Sequence, residues 1–182
     1  RNISGGISKV KPITTHNKMI FDFCSWRGMM AITGCSTSAK SDDNYFVGGK
    51  EEYGVWLGTI DDLWKFGKPT GTGGPWKETE VEAGELSDPY LMYGFDGKRV
   101  ELSHDGDEVV VFEMLYDFVP AQGRGDRAPE QVRGDKVHVR GDKIAVLPGE
   151  VKVIEYEDGF SAFWVKVRVD KKCMATAQFT YF

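Results

Sequence analysis

The sequence predicts an all-β protein: a propeller-blade-like or small antiparallel sheet region followed by an antiparallel β-sandwich. Three observations carry that expectation. Short aromatic and β-branched runs recur at roughly 8–12-residue spacing with turn signals between them. Two Asp-Gly pairs, at 96–97 and 105–106, sit among such runs as hairpin signals do. No stretch shows the 3.6-residue apolar period of an amphipathic helix.

Taken in order, residues 1–17 are polar and turn-rich, with Gly5, Gly6 and Pro12 as punctuation. Asn2-Ile3-Ser4 fits the N-glycosylation pattern, and the abrupt start at Arg1 is expected of a mature or trimmed chain. Residues 19–24 and 28–33 read as short strands joined by a turn at 25–28. Residues 34–52 read as a loop with one edge strand near Tyr45. Residues 53–60 are the next strand, aromatic and β-branched, with glycines where backbones approach closely. A short turn of strand or helix follows Asp61-Asp62. From 67 to 77 the glycines and two prolines argue against regular structure, and 81–88 continues as loop.

After Pro89 strand candidates crowd together at 90–95, 99–103, 109–117, 136–139, 143–147, 151–156, 162–169 and 174–181. In the 162–169 run, Phe163, Val165, Val167 and Val169 fall on one face, and Trp164, Lys166 and Arg168 on the other. The change of texture predicts two regions, 1–85 blade-like with a Trp/Gly-rich loop and 86–182 sandwich-like. The first is too short for a closed propeller, which needs at least four blades of ~40–50 residues.

A chain of 182 residues with 41% hydrophobic and 13% aromatic residues can bury one sizeable core or two small ones. Its formal charge of −5 argues against nucleic acid or an anionic membrane surface as partner. No apolar run approaches the ~18 residues of a membrane span. Cys24, Cys35 and Cys173 form no CxxC pair, which disfavours a thiolate zinc site. Cys24 and Cys35 can close a small loop if their strands are neighbours, or all three stand as separate thiols.

The run from Val55 to Lys77, VWLGTIDDLWKFGKPTGTGGPWK, and the following AGE.SDPYLM.G.D pattern resemble an uncharacterised family of secreted bacterial proteins. That family accompanies polysaccharide-degrading systems and is grouped with β-propeller glycoside hydrolases and lyases. The closing FSAFWVKVRVDKKCMATAQFTY is similar to its carboxy-terminal strands, and DFCSWRGMM to its blade-type segment. The resemblance implies a secreted or periplasmic protein that acts on or binds an acidic polysaccharide. It covers most of the chain but only the carboxy-terminal part of the family's length, so the remainder of a parent chain is an implied partner. The insert at 122–133 departs from the pattern.

Several residue sets are candidates for chemistry. Asp61 and Asp62 are candidate catalytic carboxylates. Adjacent on a strand they point to opposite faces, so either needs a distant partner across a cleft, since glycosidase carboxyls stand ~5–9 Å apart. The structural alternative has Asp62 capping the next turn and Asp61 bonding glycine-loop amides. His16 is a candidate general base if it faces the cleft, and a surface imidazole otherwise. Trp64 and Trp76 suit stacking on sugar rings, with Lys65 and Lys68 placed to meet a uronate carboxylate, whereas Trp56 and Trp164 read as core. The ribbon before residue 80 is thus expected to form a concave, solvent-reachable wall.

No cofactor is expected, although the oxygen-rich run 104–108 makes a calcium site conceivable; it lacks EF-hand spacing. Arg-Gly-Asp occurs at 124–126, 133–135 and 140–142, the last two in a seven-residue echo. Such a tripeptide in a loop can engage an adhesion receptor, but Gly-Asp is also ordinary turn chemistry. Two functions therefore stand. One is a carbohydrate-directed hydrolase- or lyase-type protein, with catalytic residues here or elsewhere in the parent chain. The other is a non-catalytic module binding carbohydrate or protein.

Overall fold

The computed structural model describes residues 10–16, 19–34, 43–47, 54–118 and 139–182. The chain forms two compact units, one of residues 13–68 and one of residues 1–12 with 69–182. The expected division at 85/86 therefore lies one strand later than the divide the fold draws.

In the smaller unit, β1 (Asp22–Trp26), β2 (Met29–Thr33), β3 (Tyr45–Val47) and β4 (Gly54–Gly58) make one antiparallel sheet in the order β1-β2-β4-β3. A 3₁₀ helix, Ile60–Phe66, follows. The β1–β2 hairpin closes on two residues, Arg27 (φ 49°) and Gly28 (φ 80°), the paired positive φ values of a type I′ turn. Ile32 and Trp56 face the same side of the sheet and form its core with Met30, Leu63 and Phe66. A propeller blade runs its four strands in chain order. Here β4 is inserted between β2 and β3, so the region is a small antiparallel sheet, and the described residues form no closed propeller.

The larger unit is the expected sandwich. Its strands are β5 (Gly71–Val81), β6 (Tyr90–Leu91), β7 (Lys98–His104), β8 (Val110–Asp117), β9 (Val139–Val146), β10 (Lys152–Glu155), β11 (Trp164–Val169) and β12 (Cys173–Tyr181). They form two antiparallel sheets, β10-β7-β12-β5 and β6-β11-β8-β9. Strict alternation builds the shared core. Val100 and Leu102 of β7, Phe112 and Met114 of β8, Val165, Val167 and Val169 of β11, and Ala175, Ala177 and Phe179 of β12 are sealed from solvent.

Three expectations fail for identifiable reasons. The Gly/Pro run is not irregular: 71–81 is β5, paired to β12 with register shifts around Ala177. Pro75 is tolerated because β5 is an edge strand, where a missing N–H costs no ladder bond. The glycines are there for close approach. A Cβ on Gly74 would lie 1.9 Å from the Ala177 carbonyl oxygen, and one on Gly73 would lie 2.3 Å from the Tyr90 hydroxyl. The Asp-Gly pairs do not close hairpins. Each carries the chain from one sheet to the other, and Gly97 exchanges backbone hydrogen bonds with Phe182. Finally, Gly141-Asp142 does not break a strand, since β9 runs straight through it against β8.

Gly74→Ala should destabilise the larger unit by ~1–3 kcal/mol or more, because the obstacle is backbone rather than a mobile side chain. Urea unfolding followed by far-UV circular dichroism checks this, with Gly84→Ala, whose Cβ meets nothing within 4 Å, measuring the cost of the φ +80° conformation alone.

Candidate functional site

The 3₁₀ helix is seated from both ends. At its start the Thr59 N–H and hydroxyl both donate to Asp62 Oδ2, each at 2.8 Å, while the Asp62 N–H donates to the Thr59 carbonyl at 3.1 Å. This T-x-x-D arrangement satisfies donors that the helix leaves orphaned. Lys65 closes on Asp62 Oδ1 at 2.9 Å. The Lys65 ammonium, then the Thr59 donors, hold the Asp62 carboxyl well below the usual range, at about 2. Gly58 is required beside them, since a Cβ there would lie 2.5 Å from the Trp56 indole.

A 3₁₀ helix stacks residues i and i+3. Leu63 and Phe66 therefore share one stripe and pack on the core, Phe66 meeting Trp56 edge-on at 5.2 Å. Asp62 and Lys65 share the second, as the ion pair. Asp61 and Trp64 share the third, which faces solvent: Asp61 is exposed and Trp64 is 52% exposed. One turn of rise, ~6 Å, separates a carboxylate from an indole on the same surface. At the far end of the helix the Thr14 hydroxyl donates to the Gly67 carbonyl at 2.8 Å, and the His16 ring packs edge-on against Phe66 at 5.6 Å. Lys68 is exposed just beyond.

The structure thus gathers Asp61, Asp62, Trp64, Lys65, Lys68 and His16 around one short helix, but gives them unequal tasks. Asp62 is occupied as cap and ion-pair partner, the structural alternative foreseen for it. His16 is half-buried against an aromatic ring. Trp76 does not join them. It belongs to the larger unit, lies 5% exposed in the sandwich core opposite Ala177, and its carbonyl accepts from Gln178 Nε2 at 2.7 Å. Trp56 is sealed inside, as its reading as core has it, but so is Trp76, and the expected tryptophan wall is corrected accordingly: of the three indoles in that ribbon only Trp64 reaches solvent. The sequence signal for the helix cap is Thr59-x-x-Asp62, which makes Thr59 the cap residue and Asp62 its reciprocal partner.

The remaining candidates resolve separately. In the 104–108 run His104 is buried; its Nδ1 accepts from the Gly106 N–H at 3.1 Å, which leaves Nε2 to donate to the Val146 carbonyl at 3.0 Å. Asp105 accepts the Met174 N–H at 2.8 Å, and Glu108 pairs with Lys171 at 2.6 Å. Asp105 thus holds β12 and Glu108 the turn before it, and no group of three His, Cys, Asp or Glu among the described residues is placed to hold a metal. Cys24 is an exposed free thiol and Cys173 a buried one. Cys35, Asn2 and the Arg-Gly-Asp copies at 124–126 and 133–135 lie outside the described residues. The third copy lies in β9. Asp142 pairs with inward-facing Met114 and is half-buried toward Tyr156, whose hydroxyl meets that of Tyr116 at 3.1 Å. One buried cation escaped sequence reading altogether: Lys98 donates to the Phe95 carbonyl at 2.6 Å, and burial lowers its pKa while nearby Asp96 opposes the shift.

No protein-family model, curated protein or solved structure matches the chain. No helix among the described residues is long and apolar enough to cross a membrane.

Two outcomes test these assignments. Trp76→Ala should cost the sandwich ~3–5 kcal/mol, whereas Trp64→Ala should fall within about 0.5 kcal/mol of the parent, as read by denaturant unfolding. Because the Asp62 pKa is depressed from 3.8 to about 2, its contribution to the cap is complete above pH 3.8 and is lost as pH falls through about 2. Carboxyl NMR should give that midpoint, and Lys65→Met should move it upward.

Proposed function

We propose that this chain is a carbohydrate-directed module of a secreted glycan-processing system, and that it binds an acidic polysaccharide rather than cleaving it. The observation that carries the reading is the solvent-facing stripe of Asp61 and Trp64. An indole face packs on the C–H face of a pyranose, and a carboxylate one helical turn away accepts hydrogen bonds from its hydroxyls. Lys68, exposed at the end of the helix, is the cation assigned to a uronate carboxylate, with Lys65 beside it.

The state of Asp62 supports binding over catalysis. A glycosidase needs one carboxyl whose pKa is raised so that it can protonate the leaving group. Asp62 is pushed the other way, and spending it on the substrate would undo the helix cap. Elimination needs a base that reaches the sugar, and His16 lies half-buried on Phe66. On this reading the module holds the polysaccharide through the Asp61–Trp64 stripe.

Calorimetric titration with a uronate oligosaccharide, beside a neutral glucan oligosaccharide of the same length, tests the reading. Trp64→Ala should weaken uronate binding roughly tenfold or more, ~1.4 kcal/mol, with the fold intact. Lys68→Ala should narrow the preference for the uronate. Absence of binding by the parent, or equal binding by Trp64→Ala, would remove the assignment.

A further inference from the structure

We infer that β1 is a self-association edge, through which two copies of the chain pair antiparallel about a two-fold axis at Cys24. β1 ends its sheet among the described residues, and all five of its residues are exposed. Phe23 is 66% and Trp26 49% exposed, with Phe21 at 69% just before them. An exposed edge that carries large apolar side chains and main-chain groups directed outward is a template for another strand.

The hairpin fixes which groups are unused. A two-residue turn is closed by a hydrogen-bonded pair, here Trp26 and Met29, so alternation makes Cys24–Ala31 a hydrogen-bonded pair as well, while at the far end the Thr33 carbonyl accepts from the Phe21 N–H at 2.9 Å. The N–H and C=O groups of Phe23 and Ser25 then point away from β2. The Phe23 N–H confirms that parity, because it bonds the carboxylate of its own neighbour, Asp22 Oδ1, at 2.8 Å rather than a β2 carbonyl.

Those outward groups are self-complementary in one arrangement. Pairing Phe23 with Ser25 of a second copy, in both directions, places Cys24 opposite the second Cys24 at a non-hydrogen-bonded site. Asp22 then lies beside the second copy's Trp26, whose indole carries the Arg27 guanidinium at 5.0 Å. A carboxylate at one end of β1 and a cation at the other are matched by the same axis, as an isologous contact requires. Asp22 also serves as the guard of the single copy, occupying the Phe23 N–H until the second strand replaces it and Asp22 turns to Arg27. The product is one continuous eight-stranded sheet.

The geometry makes Cys24 a reporter. Directly opposed residues at such a site have Cα atoms ~4.5 Å apart, within the ~4.4–6.8 Å span of a disulfide. In a Cys35→Ser background, diamide takes two electrons and two protons from a pair of thiols and is reduced to the hydrazine. A covalent dimer should form and should vanish in Cys24→Ser. Under reducing conditions, sedimentation velocity should show a concentration-dependent dimer up to about 100 µM. Ser25→Pro should weaken it at least tenfold, since it removes only an N–H that faces away from β2, with circular dichroism checking the hairpin. Phe23→Lys offers the same test without a backbone change. A parent that sediments as a monomer throughout, a dimer that does not cross-link through Cys24, or a dimer that survives both variants would overturn the proposal.

Discussion

The larger unit depends on the inward face of β12. This strand lies between β7 and β5, and the side chains it turns inward run Cys173, Ala175, Ala177, Phe179 and Tyr181. The two alanines leave room for larger partners, and the Trp76 indole stands opposite one of them. At the other end the large residues stack: Phe95 on Tyr181 at 4.1 Å, and Tyr90 on Phe179 at 5.6 Å, with the Tyr181 hydroxyl donating to the Leu91 carbonyl at 2.6 Å. Small-then-large along one strand thus fixes what β5, β6 and β7 place against it. The same pattern decides a functional question, because a tryptophan that fills the space over an alanine is not available to a ligand.

In the smaller unit a comparable chain of constraints runs through Trp56. Its ring needs Gly58 bare, and the bare Gly58 lets Asp62 sit close enough to cap Thr59. The cap draws Lys65 to Asp62, and Phe66 returns to the Trp56 ring. Asp61 and Trp64 lie on the stripe of the helix that faces solvent, and that exposure is why they carry the functional reading.

Alternation made most of the fold legible. The face shared by Val165, Val167 and Val169 was visible in the sequence because period two leaves no other arrangement. Residues 71–81 were misread because glycine and proline have two opposite uses, loop flexibility and close approach at an edge strand, and only the partner strand tells them apart. The Asp-Gly turns were real as sharp turns, but a hairpin also needs its flanking strands to pair, and here the hydrophobic faces sent them to different sheets. At the candidate site, proximity in sequence was sufficient for Asp61, Asp62, Trp64 and Lys65, which share one helix. It failed for Trp76, twelve residues on from Trp64, because that separation crosses from one compact unit to the next.

The placement of Asp142 on the inner side of β9 changes how the echoing tripeptide is to be understood. Backbone pairing with β8 holds Gly141 extended, and the carboxylate that an adhesion receptor would grasp is half-buried on the side of Tyr156. A short synthetic peptide of residues 139–145 would display a motif that the folded strand withholds. Cell-attachment activity of such a peptide would therefore describe the released segment, and proteolysis of the sandwich would be the event that turned it on.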